Sequence, residues 1–297
     1  MIFKIIGALL SGRLGGFDSR ALPPVGGSLV ALLLATMGCA PPLSSFQPAH
    51  VAPAGQFQAG MGLDVAVPVG TITRTYDAAK TLSDTAQNGT PLADGQKLQL
   101  FDAGLNLALN PPAVNYHLGL AYTLIDRWEV SLRYAASALR LGARYQVLKH
   151  DSAPFDLVVG LGVARFSHEF PFGDVIPVLR LEDFVRWQLD VPILIGTSRD
   201  WFRAWVGPRF LATRFEAALI LDLEAQPDEL ANLEGVGYYV GAQGGLAVGF
   251  RWLFVAAELT VARLVGDADL AALDRPARSV EIDSVVVYPS FGLMGEF

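Results

Sequence analysis

Val114-Asn115-Tyr116-His117-Leu118-Gly119-Leu120-Ala121-Tyr122-Thr123-Leu124-Ile125-Asp126-Arg127-Trp128-Glu129-Val130-Ser131-Leu132-Arg133-Tyr134 holds two alternating runs joined by a polar pair. In the first, Val114, Tyr116, Leu118, Leu120 and Tyr122 share one face, with Asn115, His117, Gly119, Ala121 and Thr123 on the other. In the second, Trp128, Val130, Leu132 and Tyr134 oppose Glu129, Ser131 and Arg133. Successive side chains of a strand point to opposite sides, so a period of two over such lengths predicts β-strands. With only a few residues between the runs, the pair reads as an antiparallel hairpin.

Working outward, the same split recurs along the chain. Phe57, Ala59, Met61, Leu63, Val65 and Val67 separate from Gln58, Gly60, Gly62, Asp64 and Ala66 within 56–68, and Leu139, Leu141, Ala143, Tyr145 and Val147 from Arg140, Gly142, Arg144 and Gln146 within 139–148. Further strands are expected at 155–168, 184–196, 202–221, 236–250, 252–265 and 280–297. That makes ten, an even number as a closed up-and-down barrel favours, or twelve if one more hairpin lies unseen. Segment 98–109 fits part of a longer second strand, a loop, or an extra strand.

Composition sets the solvent. Hydrophobic residues make up 52% of the 297, charged residues 17%, and mean hydropathy is +0.38, more apolar than an ordinary soluble chain. Yet no run after residue 40 reaches the roughly 18 apolar residues of a spanning helix. Only helices and closed barrels satisfy all backbone groups inside hydrocarbon, which leaves the barrel. The expected fold class is therefore all-β: a transmembrane antiparallel up-and-down β-barrel over 56–297.

Alternation alone does not say which face looks outward, since a lipocalin-like soluble barrel also alternates, with its apolar face inside. Three features favour the membrane orientation. Small residues gather on the polar face, as in Gly160, Gly162 and Ala164 or Gly241, Gly245 and Gly249, where a narrow lumen needs them. Aromatics such as Tyr122, Trp128, Tyr134 and Phe250 stand near strand ends on the apolar face, as interfacial girdles do. The strands are also mostly about ten residues or longer, enough for a tilted crossing.

Residues 1–38 read as an export signal: Lys4, Arg13 and Arg20 precede the apolar run Leu29-Val30-Ala31-Leu32-Leu33-Leu34-Ala35, too short to span a membrane. Thr36-Met37-Gly38-Cys39 resembles the bacterial lipoprotein lipobox, although Thr36 stands where that family has Leu. The resemblance implies lipid attachment at Cys39; ordinary cleavage between Ala35 and Ala40 is the alternative. Residues 39–55, with Pro41, Pro42, Pro48 and Pro53, read as a flexible linker carrying no site, lipidated at its first residue if the lipobox reading holds.

At the other end, Val285-Val286-Val287-Tyr288-Pro289-Ser290-Phe291-Gly292-Leu293-Met294-Gly295-Glu296-Phe297 resembles the last strand of bacterial outer-membrane proteins, with Val287, Phe291, Leu293 and Phe297 on one face. The resemblance implies an outer-membrane location and recognition of Phe297 by the barrel-assembly machinery, so the partners expected are that machinery and outer-membrane lipid. The stretch Tyr122–Glu129 likewise resembles the short periplasmic turns of such barrels. Counting back from a periplasmic carboxyl terminus puts turns near 125–128, 150–154, 197–200 and 250–251 in the periplasm and the longer segments 70–96, 169–179, 222–235 and 266–278 outside.

Chemistry-bearing residues concentrate on the predicted lumen face: Asp64, Glu129, Arg133, Arg140, Arg144, Asp156, Arg186, Asp190, Arg203, Arg209 and Glu258. Six arginines against five carboxylates suit a structural salt-bridge network, because buried charge survives only when matched. The alternative is an arginine-lined, anion-selective constriction. Ser167-His168-Glu169 is the nearest approach to a catalytic set, but adjacent strand residues point to opposite faces, so the three cannot form one site and no enzyme is expected. One cysteine excludes a multi-cysteine metal site, and neither a phosphate loop nor a basic face for nucleic acid is present. No cofactor is expected. The four charged residues of 1–38, Lys4, Arg13, Arg20 and Asp18, carry +2, so the formal charge of −7 becomes −9 without them.

Overall fold

In a computed structural model, residues 41–69, 71–135, 138–167, 178–222, 228–272 and 276–297 are described; the signal segment, Cys39 and His168-Glu169 fall outside that set. Ten strands among the described residues close an antiparallel barrel, each paired with its neighbours in the chain and the first with the last. They are β1 (Phe57–Val69), β2 (Ala113–Ile125), β3 (Trp128–Ala135), β4 (Ala138–Leu148), β5 (Asp156–Ser167), β6 (Leu179–Ser198), β7 (Phe202–Leu221), β8 (Glu229–Phe250), β9 (Leu253–Ala272) and β10 (Arg278–Glu296). The quoted hairpin is β2–β3, with Leu120 opposite Leu132 and Gly119 opposite Arg133. Closure pairs Gly62 with Gly292. A Cβ on Gly62 would lie 2.2 Å from the Phe291 carbonyl oxygen, so this seam needs glycine.

The wall is inside out relative to a soluble barrel. Tyr116, Leu118, Leu141, Leu161, Val206, Leu246 and Val255 stand exposed on the exterior, while Asp64, Arg144, Arg186 and Arg209 are buried within. Aromatics line the rim at the short-turn end, where Phe57 meets Tyr122 at 4.6 Å and Trp128 meets Tyr145 at 5.0 Å.

Strand length divides the barrel in two. β1 to β5 run 8 to 13 residues, β6 to β10 run 19 to 22. The exposed series Tyr238, Val240, Leu246 and Val248 on β8 covers about ten residues, which at the usual tilt spans roughly 25 Å, the height of a barrel's apolar band. Beyond it the strands continue and the alternation changes phase. On β8 Ala231 and Leu233 are buried inside while Asn232 and Glu234 face out; on β9 Ala268 and Leu270 are inside, Asp267 and Asp269 outside. Residues 229–235 and 266–272, within segments expected as loops, are thus strand. Above the bilayer water replaces lipid outside, so the polar residues move to the exterior and the apolar ones to the core.

The tall wall has a partner. Between β1 and β2 the chain forms α1 (Thr71–Gln87) and α2 (Asp94–Leu109), so the ambiguous segment 98–109 is a helix and not a strand. Ala79, Ser83 and Ala86 bury one face of α1, the spacing of a single helical stripe. Leu100, Phe101, Leu105, Leu107 and Leu109 of α2 are all buried, in one apolar core with Leu179, Leu181, Phe184, Phe215, Leu219, Leu233, Leu264 and Leu270 of the wall. At Gly104 an added Cβ would lie 2.4 Å from Leu179 Cδ2, so the helix approaches β6 as closely as a glycine allows. The helical hairpin fills the lumen at the end where the strands are long.

Candidate functional site: the charged lower lumen

Below that seal the lumen is lined by the predicted charges, most of them sorted into wall-to-wall contacts. Arg140 grips Asp190 through two hydrogen bonds of 2.9 Å, and Arg209 reaches the same carboxylate at 2.9 Å. Arg144 donates to Glu129 at 2.8 Å. Arg133 donates to Asp64 at 2.9 Å, and His117 lies 3.0 Å from that carboxylate. Asp156 takes Gln146 Nε2 at 2.8 Å and the His150 backbone N–H at 3.0 Å near the turn between β4 and β5. The remaining predicted arginine of the lower level, Arg203, pairs with Glu296 and stacks 3.9 Å from the Phe254 ring.

Glycines make room for these groups. A Cβ on Gly162 would sit 2.1 Å from Asp190 Oδ1 and 2.5 Å from an Arg140 nitrogen, and one on Gly245 would sit 2.3 Å from the Trp205 indole.

Arg186 has another role. Its guanidinium donates to the carbonyls of Ala108 at 3.0 Å and Leu109 at 3.3 Å and lies over Phe184 at 5.0 Å. It caps the carboxyl end of α2, where the helix dipole favours a cation. Tyr239 adds its hydroxyl to Asn110 Oδ1 at 3.1 Å.

The largest departure from expectation is the segment before β1. Residues 41–52, read as a flexible linker without a site, run inside the lumen: Leu43, Ser44, Ser45, Phe46, Ala49, His50, Val51 and Ala52 are buried. The wall holds their backbone. Arg209 donates to the Leu43 carbonyl at 3.1 Å, Arg133 to that of Ser44, and Arg144 to that of Pro48 at 2.8 Å. Glu258 accepts the N–H groups of Ser45 at 2.9 Å and Phe46 at 3.1 Å, and Gln146 accepts that of Val51 at 3.2 Å. Proline and serine suit this seat as well as they suit a linker, because an extended segment without a ladder has no period to display.

At the short-turn mouth of the barrel His50 is the tether. Its Nδ1 lies 2.8 Å from Ser198 Oγ, and its Nε2 lies 3.2 Å from Glu296 and 3.3 Å from Gln58 Nε2. A serine, a histidine and a carboxylate stand in sequence here, but Arg203 already neutralises Glu296 and the imidazole joins the plug to strands β1, β6 and β10. The geometry is that of a latch. His50, Gln58, Gln146, Ser198 and Glu296 were not singled out from the sequence. Parity offered one signal, since Glu296 falls opposite the Val287–Phe297 face and hence inside. Phe297 lies at the rim, exposed, its backbone N–H bonded to the Phe57 carbonyl at 3.0 Å.

No known family and no curated protein matches this sequence. Among solved structures the chain is similar to Ail, the attachment invasion locus protein of Yersinia pestis, with 11% identity over 82% of this chain and 99% of that one and a TM-score of 0.30. It is also similar to a major outer membrane protein from Thermus thermophilus (9% identity, 82% and 99% covered, TM-score 0.35) and to the outer membrane protein AlkL (13%, 86% and 96%, 0.29). The wall itself defines the class: a closed barrel with an apolar exterior band, aromatic rim and charged interior is an outer-membrane β-barrel protein.

Proposed function

We propose that this protein is a closed barrel of the structural and surface-interaction kind, not a passive pore. One observation carries the reading: the lumen is filled twice, by the apolar seal of α2 above and by residues 41–52 below. The part left to meet other molecules is the wall of β6 to β10 above the band, with Asn232, Glu234, Asp267 and Asp269 facing water. No catalytic role is assigned. Single-channel recording of the purified full chain in planar bilayers is expected to show no steady conductance; an ohmic pore would overturn the reading. In intact cells a membrane-impermeant maleimide is expected to label Asn232→Cys and to leave Val248→Cys unlabelled.

Export through residues 1–38, and assembly through recognition of Phe297, belong to the same proposal. Acylation at Cys39 is its remaining part, supported by the lipobox-like Thr36-Met37-Gly38-Cys39. The intact mass of the mature protein, with or without acyl chains, tests this part.

A further inference from the structure

We propose that the lower lumen is a binding site for an extended polypeptide segment, read through its backbone and occupied in cis by residues 41–52, which leave and return without unfolding the barrel.

The arginines of the wall are paired without the occupant. Each arginine that donates to a plug carbonyl also holds a wall carboxylate: Arg133 with Asp64, Arg144 with Glu129, Arg209 with Asp190. Departure of the plug leaves those charges matched, which is the condition for a charged interior to persist. Glu258 loses the Ser45 and Phe46 N–H groups but keeps Trp205 Nε1 at 3.0 Å.

The occupant is held by side chains of the wall alone, with Phe46 and Ala49 packed beside Trp205, Phe254 and Met294. It contributes no strand or helix, and its bonds go to side chains of the wall. Phe46 sits at φ +47°, a left-handed conformation that an aromatic residue seldom adopts, so leaving relaxes it. Ser44 Oγ and Gln47 Oε1 find no hydrogen-bond partner among the described residues, while the carbonyls of residues 43, 44 and 48 and the N–H groups of 45, 46 and 51 are taken up. A site that answers the backbone in this way selects an extended peptide, with Leu43 and Phe46 seated among its apolar side chains. With the plug gone, α2 still closes the lumen above, leaving a periplasm-facing well.

Two measurements test this. In the native full chain, hydrogen exchange is expected to be at least about a hundredfold faster at Ser45, Phe46 and Val51 than along β9, the mark of sub-global opening; exchange in step with β9 would overturn the proposal. In the full-chain variant Ser45→Pro, which lacks one N–H to Glu258, a fluorescein-labelled peptide of residues 41–55 is expected to bind saturably from the periplasmic side. The same peptide carrying Ser44→Ala should bind equally, and one N-methylated at Ser45 and Phe46 at least tenfold more weakly. Equal binding of the N-methylated peptide, or no binding by a variant that still shows a folded gel shift, would also overturn it. Should Ser45→Pro fail to fold, the exchange comparison in the native chain decides alone.

Discussion

Arg186 and Ala108, 78 positions apart, meet at 3.0 Å where a wall strand catches the end of the sealing helix. The guanidinium serves the last carbonyls of α2 and stacks on Phe184 at once. Arg186→Met keeps the bulk and removes the donors, leaving the buried Ala108 carbonyl without its side-chain partner at a cost of ~1–3 kcal/mol, while Leu109 keeps the Tyr239 hydroxyl at 3.4 Å. The temperature at which the folded gel band converts to the unfolded one is expected to fall. Arg186→Lys should recover part of it, since an ammonium still faces the helix dipole.

The Arg140–Asp190–Arg209 cluster gives the steepest expected loss. Asp190→Asn leaves two buried guanidinium groups without their shared carboxylate, and breaking a buried ion pair typically costs ~3–5 kcal/mol. The triple change Arg140→Met, Asp190→Leu, Arg209→Met replaces the set with apolar bulk and is expected to be much milder, though it also removes the donor to Leu43. Urea unfolding from lipid vesicles should place the parent first, the triple variant next and Asp190→Asn last.

The glycines of the lumen can be separated by what faces them. Gly162→Ala pushes a methyl into Asp190 and Arg140, whereas at Gly119 the nearest atom to an added Cβ is 3.8 Å away. Overpacking costs ~1–3 kcal/mol, so Gly162→Ala is expected to lower the urea midpoint and Gly119→Ala to leave it unchanged.

At the short turns after β2 and β4, a hydrogen bond from the Lys149 ammonium holds the Asp126 carboxyl below its ordinary pKa. A depressed folded value means the contribution to stability is present above the unfolded pKa and is lost as pH falls through the folded one. In a carboxyl-carbon NMR titration, Lys149→Met is expected to move the Asp126 midpoint upward. A midpoint that stays put would mean the pair does not form in solution.

Much of this was legible in the sequence, for a physical reason that also sets its limit. Within the bilayer each strand displays its apolar side to lipid, so Tyr116, Leu118 and Leu120 or Leu139 and Leu141 announce strand and face together. α2 is buried on nearly all sides and has no polar stripe; Leu105, Leu107 and Leu109 even repeat at two and imitate a strand. Residues 41–52 carry no period because their order comes from side chains of the wall. Past Gly235 on β8 the phase inverts, and Asn232 and Glu234, pointing out into water, pass for a loop. The lumen charges were visible by parity, but their second employment as holders of a plug was not, since it depends on a segment whose composition suits a linker equally well.

That inversion makes two leucines of one strand a direct test of where the membrane ends. Leu246 and Leu230 both lie on the outside of β8, 55% and 54% exposed. Leu246 stands within the apolar band opposite Ala257, and Leu230 stands beyond the phase change opposite Ile220. Exposure being equal, the surrounding solvent is what differs. Arginine on the lipid face near the midplane costs ~2–4 kcal/mol, whereas a substitution on a watery surface stays within about 0.5 kcal/mol. Leu246→Arg is therefore expected to lose most of its folded yield in vesicles and to shift the urea midpoint, with Leu230→Arg close to the parent. Equal losses at both positions would place the upper wall within lipid and leave Glu234, Asp267 and Asp269 facing hydrocarbon, an arrangement too costly for the closed barrel to keep.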